Sequence, residues 1–195
     1  MQDHASPRLA IQRLVPELWP LMGQYRQPWA IAGGWAVDLY LGRVTRHHGD
    51  LEIAVLRRDQ WELHDLFSGW SISYLDAGKI QSWPRSLRLE LPIHQIRVTS
   101  PQDQTLDFLL NEAEGDQWLY RRDQRITLPL GQAILGEDLP YLAPEIVLLF
   151  KSKQPRPKDE KDLDLLLPVL MTDALSWLRN CLRVIAPDHS WLDRM

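Results

Sequence analysis

The chain has a single cysteine, Cys181. No disulfide can form within it, so the fold is expected to hold without an oxidising compartment. Cys181 sits in an apolar helical pattern with Trp177, Leu178 and Leu182, which reads as a buried structural thiol rather than a nucleophile. No stretch reaches the roughly 18 consecutive apolar residues that suggest a membrane span. Met1 to Pro7 holds no basic segment leading into an apolar one, so a cytoplasmic location is the expectation. Positive charge is in deficit: 22 Lys and Arg stand against 26 Asp and Glu, a formal net charge of −4. That balance gives no broad basic surface and argues against a nucleic-acid duplex as the main partner. Internal repeats and low-complexity segments are also missing.

What remains is an ordinary globular composition, 45% hydrophobic and 25% charged over 195 residues. It fits one domain, or one domain with a helical appendage. Nine tryptophans are present, and most are expected to be core. Trp35 and Trp83 are the candidates for a platform under a base or a sugar ring.

Chemistry is concentrated between residues 29 and 57. An apolar run, Trp29 to Ala32, leads into Gly33 and Gly34, and residues 35–41 read as a short helix stopped by Gly42. Without Cβ atoms, a backbone turn at the glycine pair can face a phosphate closely. The amides that open the helix would point at an anion. Asp50 and Glu52 then begin a β-branched apolar run. Residues two apart on a strand share a face, so the two carboxylates form a hard-cation site of the kind that holds Mg²⁺ against phosphates. The connecting loop carries Arg43, Arg46, His47 and His48. Arg46 and His48 are candidates for meeting phosphate oxygens. The adjacent histidines lack a further Cys or His at ligand spacing, which argues against zinc.

Along the rest of the chain, Ser6 and Pro7 start a helix that Pro16 and Pro20 kink or divide. A helix over 60–67 and strands over 70–75, 93–98 and 105–112 follow. Asp107 is a lone carboxylate inside an apolar strand, and should meet a cation, a metal or several donors. Residues 117–128 read as a hairpin whose Arg-rich turn, 121–125, is solvated. From residue 139 the period becomes helical, with helices over 144–153, 158–170 and 172–185. Lys151 and Lys153 close the first of these, where lysine complements the helix dipole.

Gly33-Gly34-Trp35-Ala36-Val37-Asp38 together with Arg46-His47-His48-Gly49-Asp50-Leu51-Glu52 resembles the nucleotidyltransferase core of the DNA polymerase β superfamily. It is most similar there to the aminoglycoside and lincosamide nucleotidyltransferases. Tyr141 to Glu145 and the run from Lys151 to Asp162 extend the resemblance over residues 29–170. It implies an α+β fold: a mixed sheet with flanking helices over 1–138 and a C-terminal helical portion over 139–195. It implies transfer of a nucleotidyl group, AMP from ATP, to a hydroxyl of a small molecule such as an aminoglycoside or lincosamide, with release of pyrophosphate. Asp50, Glu52 and Asp107 would be the catalytic carboxylates and hold one or two Mg²⁺ ions, Asp107 arriving on a later strand beside the first two. Gly33, Gly34, Trp35, Arg46, His48, Lys151 and Lys153 would bind the nucleotide. Glu52 stands where many members carry aspartate, one methylene shorter. Acidic residues Glu90, Glu112, Glu114 and Asp116 are candidates for attracting a cationic acceptor. Two further readings stand beside this one: an enzyme that modifies RNA ends or protein hydroxyls in a toxin–antitoxin pair, and a nucleotide-binding module without turnover. Oligomeric state leaves no signal.

Overall fold

The computed structural model describes residues 6–16 and 18–195. The N-terminal helical stretch is two short helices, α1 (Pro7–Leu14) and α2 (Leu18–Met22). Strand β1 (Trp29–Ile31) leads into helix α3 (Gly33–Leu41), and β2 (Glu52–Leu56) returns. The helix expected over 60–67 is shorter: a 3₁₀ turn at Arg57–Asp59 precedes α4 (Glu62–Leu66). Strands β3 (Ser71–Asp76), β4 (Lys79–Ser82), β5 (Gln95–Thr99) and β6 (Thr105–Glu114) follow. The expected hairpin is β7 (Gln117–Leu119) with β8 (Thr127–Pro129). Then come α5 (Leu130–Ala133), β9 (Ile134–Leu135), β10 (Tyr141–Leu142), α6 (Pro144–Lys151), α7 (Pro157–Leu166) and α8 (Thr172–Ile185).

The strands form one mixed sheet in the order β4-β3-β5-β6-β2-β1-β10-β9, with β7 branching from β6 to pair with β8. β2 runs parallel to β6, and β1 parallel to β10; the other pairings are antiparallel. This is the α+β arrangement, a mixed sheet with flanking helices, that the resemblance implied. The portion expected from residue 139 onward contributes β10 to the same sheet, beside β1.

Alternation along the central strands divides the apolar residues between two cores. Ile53 and Val55 of β2 join Leu106, Phe108 and Leu110 of β6 on one face, under Ile11 of α1, Leu18 and Met22 of α2 and Leu63 of α4. Ala54 and Leu56 point the other way, toward Ile146 and Leu149 of α6 and Leu178 and Leu182 of α8. Cys181 is buried in this second core, and burial pushes its thiol up to about 12, an inert structural group as expected. The helices of the second core cover only part of their face. Over β5 and β6 a cleft remains, and it sets the position of the site. Among the described residues no helix is long and apolar enough to cross a membrane.

Candidate functional site

The site begins where β1 ends. The Ala32 amide donates to the Glu52 carbonyl at 2.8 Å, tying the glycine turn to the first residue of β2. Gly33 has φ +62°, and a Cβ built there would lie 2.0 Å from Glu52 Oε2. Gly34 is as tightly closed from beneath: a Cβ would meet Arg46 Nη2 at 2.4 Å and His48 Cε1 at 2.5 Å. A side chain at either position must push one of these groups aside, and at Gly33 the positive φ adds backbone strain.

Register brings the carboxylates together. Glu52 of β2 lies directly beside Asp107 of β6, and Asp107 directly opposite Arg97 of β5. Asp50, exposed, precedes the strand by two residues, since β2 starts at Glu52 and not at Asp50. Arg97 grips Asp107 through both oxygens, Nε–Oδ1 at 2.8 Å and Nη2–Oδ2 at 2.9 Å. Of the three carboxylates, Asp107 alone carries an ion pair among the described residues. The Glu52 carboxyl is pushed above its ordinary value by burial first and then by the charge of Asp50; Lys151 opposes the shift and Asp107 adds to it. Among the described residues no three His, Cys, Asp or Glu side chains are drawn together into a ready metal cage.

Beneath the turn runs a chain of charged contacts. His48 Nε2 lies 2.7 Å from Asp38 Oδ2, and His48 Nδ1 lies 2.8 Å from Arg46 Nη1. A guanidinium only donates, so Nδ1 accepts and the imidazole proton sits on Nε2, donated to Asp38. Arg46 also reaches Asp162 of α7, with Nη2–Oδ2 at 3.3 Å. Lys151 Nζ bridges Asp162 at 3.0 Å and Asp159 at 2.6 Å. Burial alone would raise the Asp159 carboxyl, but hydrogen bonds from Arg156 and Lys151 overcome it and hold it well below the usual carboxylate range. The result is a continuous run, Asp38–His48–Arg46–Asp162–Lys151–Asp159–Arg156, joining α3 to α6 and α7.

The cleft itself has a volume of about 490 Å³ and is lined at one end by Gly33, Glu52, Lys151 and Arg156. Lys153 also lines it. Two expectations are corrected here. Trp35 is 5% exposed and packs its ring 4.4 Å from that of His48, and Trp83 is 3% exposed and stacks with Trp61. Neither offers a free ring face to a base or sugar, because both indoles are more stable in the apolar layer they fill. The Arg-rich turn is not fully solvated either: Arg121 and Arg122 line the cleft, held over the Phe150 ring at 5.4 and 5.5 Å. The four candidate acids lie outside the cleft lining. Of these, Glu90 pairs with Arg88, and Glu112 with Arg57. Sequence reasoning missed Arg97, Arg121, Arg122, Asp159 and Asp162; for Arg97 the only signal was its strand position, which needs the register to interpret.

Comparison with known proteins now has a geometry to stand on. The family model for aminoglycoside-2''-adenylyltransferase matches residues 15–166. No curated protein matches the sequence significantly. Among solved structures, the solution structure of the antibiotic-resistance factor ANT(2'')-Ia is similar at 17% identity and a TM-score of 0.62, over 92% of this chain and 94% of that one. The crystal structure of ANT(2'')-Ia in complex with adenylyl-2''-tobramycin gives 17% and 0.61, over 90% and 98%. The lincomycin-bound lincosamide antibiotic adenylyltransferase LnuA gives 15% and 0.55, over 82% and 98%. At these identities the structures establish a shared fold. The family match spans most of the chain, from before β1 to the end of α7, and on it the chain belongs to the aminoglycoside-2''-adenylyltransferase family of nucleotidyltransferases.

Proposed function

We propose that the chain transfers AMP from ATP to a hydroxyl of a small acceptor in the cytoplasm, releasing pyrophosphate. One observation carries the reading: an unpaired Glu52 carboxylate, with Asp107 beside it in register, opens onto a cleft that the Gly33 turn and the cations Lys151, Lys153 and Arg156 also line. Residues 1–138 supply the turn and the carboxylates, and residues 139–195 supply the lysines.

The donor set suits Mg²⁺. Glu52 is kept above its ordinary protonation range by burial and by Asp50 and Asp107, a crowding that a hard cation relieves. Asp50 and Glu52 have oxygens to give, and Asp107 keeps a second lone pair on each oxygen beside Arg97. When bound, the metal neutralises phosphate charge and polarises the α-phosphoryl group.

The rest falls to the chain. The amides of the Gly33–Gly34 turn hold the β and γ phosphates. Lys151 and Lys153 balance the departing pyrophosphate. Arg46 and His48 shape the turn from below, with Trp35 against His48. Arg97 fixes the carboxylate of Asp107, which takes the proton of the attacking hydroxyl. The new bond joins the acceptor oxygen to the α-phosphorus, and the bond between the α-phosphorus and the pyrophosphate oxygen breaks.

Pyrophosphate release by the purified chain tests this, with Mg²⁺, each of the four NTPs, and a panel of aminoglycosides, lincosamides, small hydroxyl metabolites, tRNA and carrier protein. Release that requires ATP and one small acceptor is expected. Bound ATP with no release on any acceptor would instead assign a nucleotide-binding module. A narrower result is expected of Gly33→Ala. Its methyl group must displace the Glu52 carboxylate, and a displacement of about 1 Å at a reacting centre costs on the order of 10²-fold in rate. Far-ultraviolet circular dichroism should be unchanged while kcat/KM falls by that factor.

A further inference from the structure

The cleft has more positive charge than a triphosphate at its glycine end explains. Lys151 and Arg156 are matched by Asp159 and Asp162. Arg121 and Arg122, from the connection between β7 and β8, also line the cleft, as do His94 and Asn111. Arg122 donates to the Tyr120 hydroxyl and to the Phe150 carbonyl. Arg121 has only the Phe150 ring beneath it, and among the described residues neither arginine pairs with a carboxylate. Arg121 is half-buried without a carboxylate partner among the described residues, which is costly, and Arg122 beside it is exposed. Burial first, and then Arg122, pushes Arg121 down to about 10. Burial, Arg121 and Arg122 also push His94 below its ordinary value.

Position decides what would answer this charge. Asn111 is four residues beyond Asp107 on β6, about 13 Å along a strand. The charge of a nucleotide lies in its phosphates, at the turn and the carboxylates; its ribose and base are neutral. With the phosphates held at the turn and the carboxylates, ATP has no further charge to match two arginines beside Asn111. An acceptor of moderate size, with its hydroxyl at Asp107, spans the same distance.

We infer that the Arg121–Arg122 end of the cleft is a subsite for an anionic group, a phosphate or carboxylate, on the hydroxyl acceptor. The inference rests on the nucleotidyl-transfer reading above and narrows it: the acceptor is an acid, not a polycation of the aminoglycoside type. Arginine pairs suit this task because their planar forks bind phosphate or carboxylate through two parallel hydrogen bonds.

The test uses the full chain with Mg²⁺ and α,β-methylene-ATP, so that the triphosphate site is filled. Calorimetry then titrates inorganic phosphate and citrate into the wild type and Arg121→Gln. Among the described residues Arg121 makes no hydrogen bond that folding needs, and the melting temperature of the variant checks this. Binding of either anion to the nucleotide-loaded wild type is expected, weakened at least about tenfold in the variant, with nucleotide affinity changed less than about twofold. If nucleotide affinity drops tenfold instead, the arginines serve the triphosphate and the inference is overturned. It is overturned equally if neither anion binds the loaded wild type, or if an aminoglycoside is adenylylated as well by the variant as by the wild type. Failure of the wild type to bind nucleotide at all would strike the nucleotidyl-transfer reading itself.

Discussion

Glu52→Gln is expected to abolish nucleotidyl transfer and to stabilise the protein. The activity side follows from charge. A carboxylate that holds a cation at the developing phosphoryl charge contributes several kcal/mol to the transition state, so its loss costs on the order of 10³-fold in kcat/KM. The amide keeps the shape of the carboxylate and leaves the β2–β6 register intact, so the loss is electrostatic and not a consequence of misfolding. Pyrophosphate release at saturating ATP measures it; a variant within tenfold of the wild type would remove Glu52 from the site.

The stability side follows from linkage. The folded protein raises the Glu52 carboxyl above its ordinary value, through burial first and then Asp50. The charged form is therefore the less stable one in the fold. The contribution of the protonated group is complete below the unfolded value near 4.5 and is lost as pH rises through the folded value. Without divalent cation, the melting temperature of Glu52→Gln should match the wild type in acid and exceed it at neutral pH by about 2–4 °C for each kcal/mol of relief. Excess Mg²⁺ should raise the wild type, by about 2.7 kcal/mol at a hundred times its dissociation constant, and leave the variant almost unmoved. The two curves then cross. A site that is more stable when disarmed is the ordinary signature of functional strain.

The residues that were legible in the sequence are those whose chemistry is local. Gly33 and Gly34 announce a turn, and Asp50 and Glu52 announce a pair of neighbouring carboxylates, because two-residue and adjacent-residue relations need no knowledge of the fold; the strand face expected to hold both did not form, since β2 starts at Glu52. Asp107 was legible as an anomaly, a carboxylate in an apolar run. Its partner was not, because Arg97 meets it only through the antiparallel register of β5 and β6. Arg121 and Arg122 looked like an exposed hairpin turn, since nothing nearby in sequence foretells that Phe150, 28 residues after Arg122, lies under them. Arg57 leads into the expected helix over 60–67; it is 4% exposed and donates to the Leu89 and Ile93 carbonyls from a 3₁₀ turn that precedes α4. In each case the missed information is a contact across the chain that register or a later element supplies.

The charged run under the glycine turn gives a second large effect. Lys151→Met is expected to lower stability by about 2–3 kcal/mol, below the usual 3–5 for removing one partner of a buried pair because Asp159 keeps Arg156 and Asp162 keeps Arg46. Lys151 is 10% exposed, and both aspartates are 1% exposed. Methionine fills the aliphatic space of the lysine stem but returns no charge, so two buried carboxylates share what remains. The melting temperature should fall by about 5–10 °C. The pH dependence has a definite sign. Asp159 is held below its ordinary value in the fold, so the stability it gives is present above its unfolded value near 3.8 and is lost as pH falls. With one of its donors gone, the variant should show a shallower loss in acid than the wild type, the two curves converging as the carboxylates protonate. Adding Asp162→Asn should recover part of the loss, since the pair is coupled through Lys151 and the two changes should not add. A fully additive double variant would show that the run is a set of independent surface pairs, and α6 and α7 would then need another explanation for their hold on the turn.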